Sequence, residues 1–448
     1  MNKVKKYRQY FTPPSLADFM VNLIPTDDIK SVIDLSMGEC GLLESAKKRW
    51  ENASLYGADI DESLISEINK KAPYIHTYCA DSLSEDITNW KEYHNIVKGN
   101  GFDLAIANPP FNFRDQAEAR IGNHSQTLPI EIRFLLKYIQ ITKSGGYICI
   151  ILPYGFLSLD LYKKLRRALL SKVYICRIIK LFDNCFKKID ANTCLVVMQK
   201  KSTEDQFVQK TINIEYLDED YSLTSFDKIP VTNSTDRLDL EYNSFLQYFP
   251  NILKTSKFPV HPIGTYVIEC KRGKTLANHK DLLSTHGIRF LHTTDLRLLD
   301  IVETSATYVT NNTNYFDNSV VCSGDILIGR VGKACIGKIA VVTTAESKAV
   351  ISDCIWSLKT KDIDPYYLAI FFASKYGQIQ FKGIAKGSCS KYITQKDLLK
   401  ISVIVPSEEK QRIFRDKYLS ILKTYKVSDR DTFIKQLIAD LEFFLEKR

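Results

Sequence analysis

Four consecutive residues, Asn108-Pro109-Pro110-Phe111, bring together an amide side chain, a carbonyl with no N–H beside it, a rigid backbone and an aromatic face. Two prolines in a row can neither extend a strand ladder nor sit inside a helix, so the chain turns here as a fixed elbow. Such a combination suits a flat ring bearing an amino group, as in a nucleobase. A buried strand closed by a proline-rich turn explains the same residues, and the motif alone leaves both readings open.

An elbow acts only if neighbouring elements position it. Phe102 to Ala107 is an apolar strand-like run leading into Asn108, and it is one of seven. The others are Ser31 to Asp34, Leu55 to Ile60, Ile75 to Ala80, Tyr147 to Leu152, Val173 to Leu181 and Thr193 to Gln199. Helical patterns such as Glu62 to Lys71 and Ile130 to Lys143 lie between them, the latter with Ile132, Leu135, Leu136 and Ile139 on one stripe. This alternation predicts the α/β class: a seven-stranded, doubly wound, Rossmann-like domain that binds ligands at the carboxyl ends of its strands. Residues that follow each strand are therefore the informative ones. Asp34-Leu-Ser-Met-Gly-Glu-Cys-Gly41 is a glycine-containing turn opening a helix near Leu42, with Gly38 and Gly41 permitting close backbone approach. Asp59, roughly twenty residues beyond that turn, is placed for ribose hydroxyls, whereas Asp61 reads better as a helix N-cap. Asp81-Ser82 offers a carboxylate to an exocyclic amine.

The chain has 448 residues, 45% of them hydrophobic, which is too long for one ordinary core and predicts two domains. A formal charge of +9, from 61 Lys and Arg against 52 Asp and Glu, favours a polyanionic partner. Eleven cysteines scattered singly indicate neither a disulfide scaffold nor a zinc site, so no metal is expected and a reducing compartment is. Its longest apolar stretch, Tyr147 to Leu157, contains Pro153 and Gly155 and is too short for a bilayer, predicting a cytoplasmic protein with no membrane association.

The order Phe11-Thr12-Pro13-Pro14 with Asp18-Phe19-Met20, then Asp34 to Gly41, Asp59, Asp81-Ser82 and Asn108 to Phe111, resembles the S-adenosylmethionine-dependent DNA adenine-N6 methyltransferases of the gamma arrangement. The resemblance implies that Thr12, Asp34, Ser36 and Gly38 line the methionine end of S-adenosyl-L-methionine, with Asp34 near its amino group. Asp59 would take the ribose hydroxyls, Asp81-Ser82 the adenine edge, and Pro110 the adenine plane. The glycine turn departs from the family's Asp-Pro-x-x-Gly-x-Gly pattern, with Leu35 for the proline and Cys40 for the second glycine. An exocyclic amine is a poor nucleophile because its lone pair is delocalised into the ring. The Asn108 side-chain oxygen and the Pro109 carbonyl, each accepting one N–H, would aim that lone pair at a methyl group. Phe111 would stack on a target base flipped out of double-stranded DNA, with Phe186, in competition with Phe182, as a second stacking surface.

Two further stretches read as nucleic-acid contacts or, in the bland alternative, as a disordered loop and a solvated basic face. They are the polar loop Asn112 to Thr127, with Arg114, Arg120 and His124, and a helix Ser158 to Leu170. That helix is expected to turn Leu161, Leu165, Ala168 and Leu169 inward and Lys163, Lys164, Arg166 and Arg167 outward.

Residues 1–200 are thus expected to form the methyltransferase domain and 201–257 an irregular linker. From Phe258 the chain turns β-rich, with Gly324 to Arg330 and Gly337 to Val342 as strands about a glycine-punctuated turn, and a helix opening at Asp364-Pro365. Residues 258–406 resemble a target-recognition domain of the type I restriction specificity subunits, a smaller mixed α+β domain that implies sequence-specific reading of duplex DNA. Two helical stripes in 407–448, from Ile413 to Tyr425 and from Phe433 to Leu445, either pair with a second copy or a partner subunit or pack back on their own domain. The expected activity is site-specific adenine-N6 methylation of DNA within a restriction-modification or related system. Alternatives are guanine-N2 methylation of RNA, glutamine methylation of protein, cytosine-N4 methylation, or a non-catalytic DNA specificity protein. With the motifs beginning near the amino terminus, modification without cutting by this chain is expected, and whether a separate nuclease exists is left open.

Overall fold

Parallel strands buried on both faces must be apolar throughout, and Phe102–Ala107 is buried at every position. In the computed structural model this strand, β4, lies near the middle of a nine-stranded sheet. The structure describes residues 11–446 except 113–114, 122–123, 184, 187–191, 203–207, 232–235, 255, 303–305, 311–313, 333, 345 and 388–389. The chain divides into two compact units, Met1–Leu240 and Glu241–Arg448.

In the first unit the elements, in chain order, are α1 (Pro14–Asn22), β1 (Ser31–Asp34), α2 (Gly41–Arg49), β2 (Ser54–Asp59), α3 (Glu62–Lys71), β3 (Ile75–Cys79), α4 (Lys91–Gly99) and β4. A hairpin of β5 (Gln116–Ile121) and β6 (His124–Pro129) precedes α5 (Ile130–Ile141) and β7 (Thr142–Pro153). Then follow α6 (Lys163–Lys172), β8 (Val173–Lys180), β9 (Thr193–Lys200), β10 (Thr211–Leu217) and β11 (Leu223–Pro230). The sheet order is β11-β10-β8-β9-β7-β4-β1-β2-β3. All seven expected strands are present. β1, β2, β3, β4 and β7 pair in parallel, while β9 runs antiparallel to both neighbours. Chain direction across the sheet reverses between β1 and β4, which is where a doubly wound sheet opens a crevice.

Three expectations are corrected. The segment 201–257 is not a linker: β10 pairs in parallel with β8 and antiparallel with β11, so the first unit runs on to Leu240. Its alternating Ile212, Ile214 and Leu217 are buried among acidic and polar neighbours that masked the strand signal. Within 112–127, residues 116–121 and 124–129 pair as a hairpin rather than an irregular loop, with Arg114 outside the described residues and Arg120 exposed. On α6, Arg166 is not outward but 1% exposed, its guanidinium donating to the carbonyls of Phe156, Leu159 and Asp236, while Leu161 is 45% exposed. Lys163 and Arg167 both pair with Asp236, so most of the basic face holds the chain segment that follows β11.

The second unit has two four-stranded sheets. One orders Val267–Arg272, Ile355–Thr360, Ile326–Gly329 and Ile339–Val341, all antiparallel; the other contains Leu283–Ser284, Thr307–Val309, Ile288–Leu291 and Val350–Ile351. Asp364 caps the helix Pro365–Ala373 by accepting from the amides of Tyr366 and Tyr367. Helices Glu408–Thr424 and Val427–Glu446 pack back on this unit, burying Phe414, Tyr418, Ile434, Leu437, Leu441 and Leu445 in its core. Among the described residues no helix is long and apolar enough to cross a membrane.

Candidate active site

The carboxyl ends of β1 to β4 surround a cavity of about 650 Å³, within the range of small-molecule sites. Nine of the twelve residues singled out from the sequence line it: Thr12, Asp34, Ser36, Gly38, Asp59, Asp81, Ser82, Asn108 and Pro110. Pro109 and Phe111 do not; Phe111 is half-buried against a hydrophobic cluster on one face of the sheet. Phe186, only 5% exposed, is part of that same core cluster and does not line the cavity. Phe182 packs edge-on against Tyr221.

The glycine turn is strapped to the second strand. The Met37 amide donates to the Ala58 carbonyl at 3.1 Å, and the Gly38 amide donates to Asp59 Oδ2 at 3.0 Å. Gly57 makes room for this, since a Cβ there would lie 2.2 Å from Met37 Sδ. Gly38 has φ +53°, and Cys40, standing where a glycine was expected, has φ +62°. The left-handed path is therefore kept at a cost of about 1–2 kcal/mol for a side-chain-bearing residue. The other departure, Leu35 in place of proline, supplies an amide N–H that donates to the Tyr138 hydroxyl at 2.9 Å.

Asp34 is buried, accepting from the Ser36 amide at 2.9 Å, the Ser36 hydroxyl and the Tyr138 hydroxyl at 3.3 Å. Burial pushes its carboxyl up to about 7, with the negative charge of Asp59 adding to the rise and these hydrogen bonds opposing it. Asp59 is also raised by burial; its Oδ1 accepts from the Asp61 amide. Asp61 in turn caps α3 through the Ser63 amide, as its position suggested. Asp81 accepts from the Leu83 amide at 2.9 Å. Ser82 is 2% exposed and its hydroxyl has no hydrogen-bond partner among the described residues. A buried hydroxyl on a cavity wall calls for a ligand or water atom. Asn108 Nδ2 donates to Thr12 Oγ1 at 3.2 Å, which ties the elbow to the segment before α1.

Helix α5 supplies residues that the sequence reading missed. Phe134 lines the cavity and Tyr138 lies one turn later beneath it, with ring centroids 6.2 Å apart. Glu131, nearly buried, accepts from the Asn112 amide at 3.3 Å, and Arg133 pairs with Asp115 at 2.5 Å. An available signal was the aromatic pair at i and i+4, since a buried tyrosine hydroxyl requires a partner.

Residues 1–236 match the family model described as N-6 DNA Methylase, more than half of the chain. The chain belongs to the N-6 DNA methylase family. Residues 263–442 of this methylase match the type I restriction modification DNA specificity domain. Relatives include the Type II methyltransferase M.VspI of Vibrio sp. (strain 343), 24% identical over 54% of this chain and 60% of its own. The Type I restriction enzyme MpnII methylase subunit of Mycoplasma pneumoniae is 20% identical over 44% of this chain and 41% of its own. A solved methyltransferase subunit of a type I restriction-modification system from Streptococcus thermophilus is 20% identical, covering 55% of this chain and 53% of that one, with a TM-score of 0.38. The chain spans between 9% and 60% of the length of the curated relatives it matches. Family membership implies S-adenosylmethionine as the methyl donor. The cavity fits that donor: carboxylates for an amino group and for hydroxyls, the Ser82 hydroxyl for a ring edge, and apolar Ile60, Phe134 and Pro110 for a ring face.

Proposed function

We propose that this methylase transfers a methyl group to N6 of adenine in double-stranded DNA, at sites selected by its second unit. The observation that carries the proposal is the convergence of Asn108 with three strand-end carboxylates on one cavity wall, Asn108 being tied to Thr12. When bound, the donor supplies an electrophilic sulfonium methyl. Asp34 would hold its amino group, with Thr12, Ser36 and Gly38 at the same end. Asp59 would accept from the ribose hydroxyls, Asp81 and Ser82 would meet the adenine edge, and Pro110 would cover the ring.

The Asn108 side-chain oxygen and the Pro109 carbonyl would accept the two N–H groups of the target amine, drawing nitrogen toward tetrahedral geometry with its lone pair in line. The donor would supply the methyl carbon, and the amine, held by these two acceptors, would give up one proton to solvent on becoming methylated. Phe111 would stack on the flipped base. A homodimer or partner subunit engaging the C-terminal helices, and a separate nuclease, belong to the same reading. The exposed Ile413, Leu419 and Phe443 are the surface such a partner would cover.

The test is transfer of a labelled methyl group from S-adenosylmethionine to DNA by the full chain, and its loss in Asn108→Ala with donor binding retained. Labelling of RNA or protein alone would overturn the proposal. Methylome sequencing of a host expressing the chain would identify the modified position.

A further inference from the structure

The turn after β1 departs from the proline-containing pattern at Leu35, and the consequence lies 103 positions away. A proline at 35 would have no N–H to satisfy. Leu35 has one, it is buried, and it donates to the Tyr138 hydroxyl at 2.9 Å. That same hydroxyl donates to Asp34 Oδ1 at 3.3 Å. Tyr138 is 0% exposed on α5, the helix whose Phe134 forms part of the cavity wall. Its hydroxyl therefore serves as acceptor and donor at once, bridging two adjacent residues at the end of β1. We propose that Tyr138 is a positioning residue for the donor site: its hydroxyl holds the Asp34 carboxylate in the ionised, oriented form that receives the donor's amino group.

The electrostatics give this role a purpose. Asp34 is buried and faces a second carboxylate, Asp59 from β2, with the Cys40 thiol of the turn also close by. Both burial and Asp59 favour the protonated acid, which cannot pair with a cationic amino group. The hydrogen bonds from Ser36 and Tyr138 favour the carboxylate. Ser36 lies on the same turn and moves with Asp34, whereas Tyr138 anchors it from another element. Losing the hydroxyl would also leave the Leu35 amide without this acceptor.

The inference rests on the cavity binding S-adenosylmethionine. The experiment is calorimetric titration of the full-length chain with S-adenosylmethionine between pH 6.5 and 8.5, comparing wild type, Tyr138→Phe, Asp34→Asn and the double variant. Dividing the variant's Kd by that of wild type at each pH removes the ligand's own titration. If the hydroxyl lowers the Asp34 pKa by about one unit, the ratio is roughly eightfold at pH 6.5 and falls to about 1.3-fold at pH 8.5. In the Asp34→Asn background, Tyr138→Phe leaves no pH-dependent effect. A ratio that stays constant with pH, or stays at one, overturns the role of Tyr138. Failure of the wild-type chain to bind at all overturns the donor-site reading instead.

Discussion

The side-chain amide of Asn108 donates to the Thr12 hydroxyl at 3.2 Å, joining residues separated by 96 positions of chain. With Nδ2 donating to Thr12 the amide plane is set, and in the proposed mechanism Oδ1 of the same amide would accept from the target amine. Thr12→Val keeps the shape and removes the acceptor. Since one such bond is worth about 1 kcal/mol, kcat for methyl transfer should fall by roughly five- to tenfold even at saturating donor. An unaltered kcat in steady-state assays would show that Thr12 does not orient Asn108.

Asp34 should trade stability for binding. Its carboxyl titrates at about 7 in the folded chain and near 3.8 when unfolded. Well below pH 3.8 both states hold the proton and the group is neutral to stability. As pH rises from about 4 to 7 the unfolded chain gives up its proton first, so the folded state loses stability, and above 7 the full penalty is present. Asp34→Asn should therefore stabilise the ligand-free chain above pH 7, by up to roughly 4 kcal/mol, and scarcely at pH 4. Urea unfolding at the two pH values reads this directly, and donor affinity should drop in the same variant.

Arg166 is a structural cation. Its guanidinium satisfies the carbonyls of Phe156, Leu159 and Asp236 within the first unit. Arg166→Met should destabilise that unit by about 2–4 kcal/mol, because several acceptors lose their donor at once. The slope of log K against log salt for DNA binding should stay as in wild type. A slope reduced by about one would mean that Arg166 contacts phosphate after all.

Phe186 belongs to the core, at 5% exposure. Phe186→Ala should cost about 3–5 kcal/mol in unfolding free energy. Fluorescence of 2-aminopurine at the target position, which reports base flipping, should persist in the folded fraction of this variant and diminish in Phe111→Ala.

The helix Val427–Glu446 completes the second unit's core through Ile434, Leu437, Leu441 and Leu445. Leu441→Ala should cost about 2–5 kcal/mol and lower the unfolding midpoint of that unit. Deleting the chain after Ser428 should expose the core and cause aggregation. Light scattering that shows the shortened chain folded and monodisperse would sink this assignment.

The seven apolar runs were legible because β4 and its neighbours are buried on both faces and carry no competing pattern. β10 and β11 were not, since each sits toward the sheet edge with polar residues interleaved. The helix around Arg166 misled for a related reason: a basic stripe looks solvated until the carbonyls it satisfies, from distant residues, are known. Tyr138 escaped notice because a tyrosine on a helical stripe signals burial and says nothing about its hydroxyl's partner.

Local chemistry determined by residue order alone included the proline elbow, the carboxylates following the first three strands, the Asp61 cap, the helix start at Asp364-Pro365 and the alternation that demands a doubly wound sheet. Each depends on neighbours within a few positions, where backbone geometry limits the choices. Tertiary structure alone decided which of these groups meet. The Asn108–Thr12 bond, the Gly38–Asp59 strap and the Tyr138 bridge to Leu35 and Asp34 link residues from 21 to 104 positions apart. Such contacts follow from the order in which strands enter the sheet, and a buried hydroxyl or carboxylate takes its role from the groups that order brings to it.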